Sequence, residues 1–172
     1  MDSKKVLYDL PAPRFVRSGH SNNDLSFFIH DDAVPLFRPF GPKQMGFATF
    51  DRRDAVPVNN SHASPSISDD LPRCPPGGVI FCATDFLPGT QTPMHRTLIM
   101  DYCVAMSGDI VLAFDSGEEK AIRAGDITVQ QGVNHMWIDR SQSTCRVAFI
   151  MVSSEKLTTK NGEALEETVL KT

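Results

Sequence analysis

Between residues 78 and 152 the chain is a succession of short apolar runs cut by glycine-bearing turns, and that punctuation leaves little room for anything but β-structure. The runs cover residues 79–87, 101–106, 110–115, 119–123, 127–130, 135–139 and 145–152. Helical periodicity is nearly absent. Ser107-Gly108-Asp109 and Ala124-Gly125-Asp126 read as hairpin turns joining the runs on either side. Six or more strands at regular spacing, with inward and outward residues alternating, predict an all-β fold closed into a sandwich or barrel.

The flanks are less regular. Residues 25–30 and 45–50 read as strands, separated by a proline-rich stretch. Residues 54–78 are polar and interrupted by Pro57, Pro65, Pro72, Pro75 and Pro76, a length that suggests either a disordered segment or a lid over a site. The domain reading is therefore an N-terminal extension (1–77), a barrel core (78–152) and a short polar tail (153–172). Within the tail, residues 163–170 are predicted to form a short helix. At 172 residues one domain with a proper core is expected.

A net charge of −4 without a Lys/Arg block argues against nucleic acid or an anionic membrane as partner. No apolar run is long enough to span a bilayer. Lys4 and Lys5 are not followed by an apolar segment of the signal-peptide kind, so the expectation is a cytoplasmic protein. Cys74, Cys82, Cys103 and Cys145 lack CxxC spacing and read as reduced thiols, Cys74 being the most exposed.

Chemistry concentrates in one place. His95, Thr97 and Asp101 occupy alternate positions and, on one extended strand, would share a face. His135 on another strand would add a second imidazole. A His beside an Asp in a semi-enclosed apolar barrel is a competent general base, and a second His can supply a proton. Such a pair suits eliminations, enolisations and isomerisations beside a carbonyl. Two imidazoles and a carboxylate can also bind Fe or Zn, which makes His95, Asp101 and His135 an alternative ligand set. Trp137, Met106 and Phe114 are the candidate substrate-binding residues, and Met and aromatic walls favour a planar, apolar ligand. Arg38 and Arg146 are possible anion-binding groups.

These residues resemble the two motifs of the cupin superfamily. The first appears as Gly89, five residues, His95-Arg96-Thr97, three residues, Asp101, six residues, Gly108. The second appears as Gly125-Asp126, residues 127–130, then Gln131-Gly132-Val133-Asn134-His135. In metal-dependent cupins the ligands are two His of the first motif, its Glu, and the His of the second. Here Thr97 stands for one His and Asp101 for the Glu. Pro93-Met94-His95-Arg96-Thr97 with Asp101-Tyr102, and Phe37-Arg38-Pro39-Phe40-Gly41-Pro42 upstream, are similar to small single-domain cupins, some of fungal polyketide pathways.

The resemblance implies a single cupin-type jelly-roll barrel, and a homodimer in which the N-terminal extension meets a partner. The implied function is a lyase or isomerase of secondary metabolism, of dehydratase, cyclase or aromatase type, acting without a cofactor on a polyketide-like or aromatic intermediate. In it His95 is general base, Asp101 its orienter, His135 general acid and Thr97 a donor to the substrate oxygen. The rivals are a metal-dependent dioxygenase or decarboxylase and a non-catalytic metabolite-binding module.

Overall fold

The computed structural model describes residues 10–63, 65, 67 and 69–168. Their strands, in chain order, are β1 (Arg14–His20), β2 (Ser26–Ala33), β3 (Gly46–Arg53), β4 (Val79–Phe86) and β5 (Ile99–Ser107). There follow β6 (Asp109–Phe114), β7 (Glu119–Arg123), β8 (Ile127–Gln131), β9 (His135–Ile138) and β10 (Cys145–Ser153). No described residue is helical, so no helix among them crosses a membrane. The all-β reading holds.

Two sheets, ordered β3-β4-β10-β5-β8 and β7-β6-β9, enclose the core, while β1 and β2 pair as a separate hairpin. Alternation along β5 shows how the core is chosen: Asp101, Cys103 and Ala105 are buried, whereas Tyr102, Val104 and Met106 are exposed. Phe149 sits centrally on β10, opposite both Cys82 and Cys103, with the Trp137 ring of the other sheet edge-on at 5.9 Å. Trp137 also meets Phe86 at 6.2 Å. Those aromatic contacts join the two sheets. Cys82, Cys103 and Cys145 are buried free thiols and Cys74 is half-buried, as their pattern predicts.

The two glycine turns do different work from that expected. Residues on either side of Gly108 do not form a hairpin: β5 pairs with β10 and β8, β6 with β7 and β9. Gly108 is a corner where the chain changes sheets. It has φ +71, and a Cβ there would meet the Thr144 carbonyl oxygen at 2.8 Å. Gly125 (φ +94) makes the second corner, sending β8 to β5 rather than to β7. The hairpin is instead β6–β7, turning at Gly117.

The outer face of β3 and β4 carries a second apolar cluster of Val34, Ala48, Phe50 and Ala83, capped by Phe15, Leu36 and Ile67. Ile67 thus ties the 54–78 loop to the outside of the barrel, as does Pro65, whose carbonyl accepts a hydrogen bond from Arg17. These anchors do not make a lid over the interior. In the tail, Gly162 (φ +82) turns the chain so that Thr158 bridges Ala164, and residues 163–168 are not helical. The last two residues of the expected helix, 169 and 170, lie outside the described residues.

Arg146 is not free to bind an anion. Its Nε and Nη2 donate to the two Asp85 carboxylate oxygens at 2.6 and 2.8 Å, and Nη2 also reaches the Pro11 carbonyl at 2.9 Å. Asp85 is only 1% exposed, so Arg146→Ala leaves a buried carboxylate without a partner. The expected cost is about 3 kcal/mol, read from urea denaturation. An Asp85→Leu/Arg146→Met double variant is expected to lie closer to the wild type than Arg146→Ala does, because no charge remains to be paired. A double variant less stable than that single would contradict the reasoning.

Candidate functional site

After β4, residues 89–95 run antiparallel to β9. Gly89 N–H donates to the Asp139 carbonyl, Thr92 N–H to the Trp137 carbonyl, and Trp137 N–H to Thr92 Oγ1, each at 2.9 Å. The ladder closes on the two histidines. His95 and His135 exchange both backbone hydrogen bonds at 2.9 Å, which makes them a directly opposed pair on one face. Their ring centroids lie 4.4 Å apart with planes inclined by 47°.

The same local device orients both rings. His95 Nδ1 lies 2.9 Å from the Pro93 carbonyl oxygen, and His135 Nδ1 lies 3.0 Å from that of Val133. A carbonyl only accepts, so each Nδ1 must carry the hydrogen. Both Nε2 atoms are therefore left as lone-pair bases. Burial lowers the His95 pKa from its ordinary value, against a small opposing pull from the Pro93 carbonyl. For His135, burial and then the neighbouring His95 bring it down to about 4. Two adjacent imidazoles are thus neutral near pH 7. As an acid, His135 must first receive a proton.

Asp101 does not complete a His–Asp pair. Residues 96–98 interrupt the strand, so the alternation does not run unbroken from His95 to Asp101. Asp101 faces inward on β5, opposite Gln130 of β8 and Met151 of β10. It is 4% exposed, its Oδ1 has no partner, and burial pushes its pKa up to about 7 despite the Cys103 thiol. The Pro93 carbonyl does the orienting expected of it. Thr97 is half-buried in the interrupted stretch between His95 and Asp101.

Of the expected substrate-binding residues, Phe114 stands opposite His135 in the β6–β9 register, and Trp137 is buried two positions along β9. Met106 does not join them. It points outward from β5, 56% exposed, and borders an apolar groove of about 390 Å³ on the outer face of the larger sheet. Gln130 escaped the sequence reading. It is 3% exposed with both amide atoms unpartnered beside Asp101, and its place in the 127–130 alternation was the available signal.

The donor set does not fit a three-ligand metal centre. Among the described residues no three His, Cys, Asp or Glu side chains are grouped to hold an ion. Two imidazoles fall short of the three protein ligands of a catalytic zinc or related site.

No family model matches the chain. Curated relatives do. It is 31% identical over 156 residues to phomopsin biosynthesis cluster protein C' of Diaporthe leptostromiformis, covering 87% of this chain and 82% of that protein. It is 32% identical over 167 residues to the cupin-domain-containing oxidoreductase srdD of Neurospora crassa, covering 91% and 85%. Among solved structures, the polyketide cyclase RemF of Streptomyces resistomycificus aligns at a TM-score of 0.48 and 15% identity, covering 69% and 73%. The sequence relatives decide the matter: the chain belongs to the cupin-domain-containing family that srdD represents.

Proposed function

We propose that the chain is a small-molecule enzyme of secondary metabolism that works by imidazole acid–base chemistry, as a lyase or isomerase of dehydratase, cyclase or aromatase type. One observation carries the reading: two neutral imidazoles, each with its Nδ1–H committed to a carbonyl, hold basic Nε2 atoms on one buried face. His95 Nε2 removes a proton from carbon beside a substrate carbonyl. The imidazolium so formed, or His135 after proton transfer, returns the proton to carbon in an isomerisation or to a departing hydroxyl in a dehydration. Only one of the two is protonated at a time, since like charges at this separation repel in a buried setting. Phe114 and Trp137 beside His135 suit a planar, apolar substrate of the polyketide or aromatic kind.

The names of several relatives favour a second reading, an oxidoreductase. An experiment in deuterated solvent separates the two. Purified protein is given a candidate aromatic or polyketide intermediate with and without chelator, under air and under nitrogen. The acid–base reading expects solvent deuterium on carbon in an isomerised product, or loss of the hydrogen from carbon beside the carbonyl to solvent in a dehydrated one, at a rate indifferent to chelator and oxygen. Loss of turnover with EDTA and its recovery with Fe or Zn would transfer His95 and His135 to a metal-dependent mechanism. Binding without any conversion would make the barrel a carrier.

A further inference from the structure

Where β5 meets β8, the inward face of the barrel is polar. In that register Asp101 stands opposite Gln130, and Cys103 opposite Thr128. Asp101 and Cys103 take the inward parity of β5. Along β8 the alternation is in step, with Ile127 and Val129 exposed and Gln130 buried. Buried polar atoms ordinarily find partners, yet Asp101 Oδ1, Thr128 Oγ1 and both amide atoms of Gln130 have none. Because Nε2 and Oε1 are both unpaired, turning the amide over changes nothing.

Directly opposed Cβ atoms lie about 4.5–5.5 Å apart, so a carboxyl and an amide facing each other across two strands are within mutual reach. Asp101 and Gln130 nevertheless do not close that bond. An unpaired buried amide destabilises the empty protein, and a polar group brought in from outside the chain removes the penalty.

The same two segments carry the imidazoles. The stretch from His95 to Asp101 runs antiparallel to that from Gln130 to His135, with His95 opposite His135 at one end and Asp101 opposite Gln130 at the other. Between the ends Gly132 N–H donates to the Ile99 carbonyl at 3.2 Å, and Arg96 Nε to the Gly132 carbonyl at 3.2 Å. Six residues of extended chain span at most about 20 Å, so the basic end and the polar end belong to one wall of the barrel.

We infer that Gln130, with Asp101 opposite it, binds the substrate by a neutral edge that carries a donor and an acceptor side by side, a carboxamide or a lactam, in preference to a carboxylate. The inference rests on the reading of this chain as a small-molecule enzyme and names the class of substrate. A cis-amide edge answers both atoms of Gln130 at once, its N–H donating to Oε1 and its carbonyl accepting from Nε2. A carboxylate answers only the donor. It also sets a charge against Gln130 Oε1 and Asp101, and neither β5 nor β8 carries a Lys or Arg to offset it.

Calorimetric titration of the full chain at pH 8 with 2-naphthamide, 2-acetonaphthone and 2-naphthoate is the test. The three share a planar ring system and differ in the edge they present: donor with acceptor, acceptor alone, and anion. The wild type is expected to bind 2-naphthamide about 10-fold more tightly than 2-acetonaphthone, and 2-naphthoate most weakly. Gln130→Leu is expected to bring the amide and the ketone level. It should also raise the urea midpoint of the empty protein, because two unpaired polar atoms leave the interior. Gln130→Met repeats the test if Gln130→Leu alters the fold. Equal binding of the three probes, no binding of 2-naphthamide, or a preference that survives the loss of Gln130 each overturns the inference. Such a result beside a turnover that still needs His95 would spare the acid–base reading. A Gln130-dependent preference in a protein whose His95→Ala variant turns over normally would do the reverse.

Discussion

Replacing His95 or His135 with alanine is expected to lower turnover by about 10²–10⁴-fold while the barrel remains folded. Each substitution removes one of the two Nε2 bases and leaves in place the Phe149–Trp137 ring contact that joins the sheets. If the imidazoles pass one proton between them, the double variant should be little worse than the poorer single one. The pH profile follows from burial. Both pKa values lie below the ordinary 6.5, His135 at about 4. Activity is therefore full where the bases are neutral and falls only as pH drops below 6.5. By contrast, Asp101→Asn should alter turnover by no more than a few-fold, because its carboxyl contacts neither ring. Single variants that keep wild-type turnover would end the acid–base reading, whereas a large effect of Asp101→Asn alone would move the chemistry to the Asp101–Gln130 side of the barrel.

The strands were legible because a half-buried strand writes its burial into alternate letters. β5 shows it, with Asp101, Cys103 and Ala105 inward and Tyr102, Val104 and Met106 outward. The same rule would have placed Met106 outside, five residues from an inward Asp101, had it been weighed above the general habit of methionine for cores. Topology was less legible. Gly108 and Gly125 look like hairpin glycines because a hairpin turn and a sheet-changing corner both require positive φ. Only the strand partners distinguish them. β1 was missed because Arg14, Arg17 and Gly19 break its apolar alternation. The supposed His95–Asp101 pair failed for a different reason. The true partner of each imidazole is a backbone carbonyl two residues earlier, and a backbone partner leaves no side chain in the sequence to find.

Asp101→Asn is expected to stabilise the protein at pH 8 by about 4 kcal/mol and to leave it nearly unchanged at pH 4. In the folded chain the Asp101 carboxyl is raised to about 7, from 3.8 for a free side chain. Between those values the folded state holds a proton that the unfolded state has released, so stability falls as pH rises through that window. Asparagine is the same size and never ionises, so it removes the loss. His135 works in the opposite sense. Its pKa is lowered from 6.5 to about 4, the unfolded state binds the extra proton, and stability falls by about 3 kcal/mol as pH drops through that interval. In the wild type the Asp101 slope opposes those of His135 and His95 between pH 4 and 6.5 and makes the profile shallower. In Asp101→Asn the histidine slope stands alone, so stability should climb across the same range. Urea denaturation of both proteins at several pH values reads the difference directly. An Asp101→Asn effect of equal size at pH 4 and pH 8 would show that burial does not hold the carboxyl neutral.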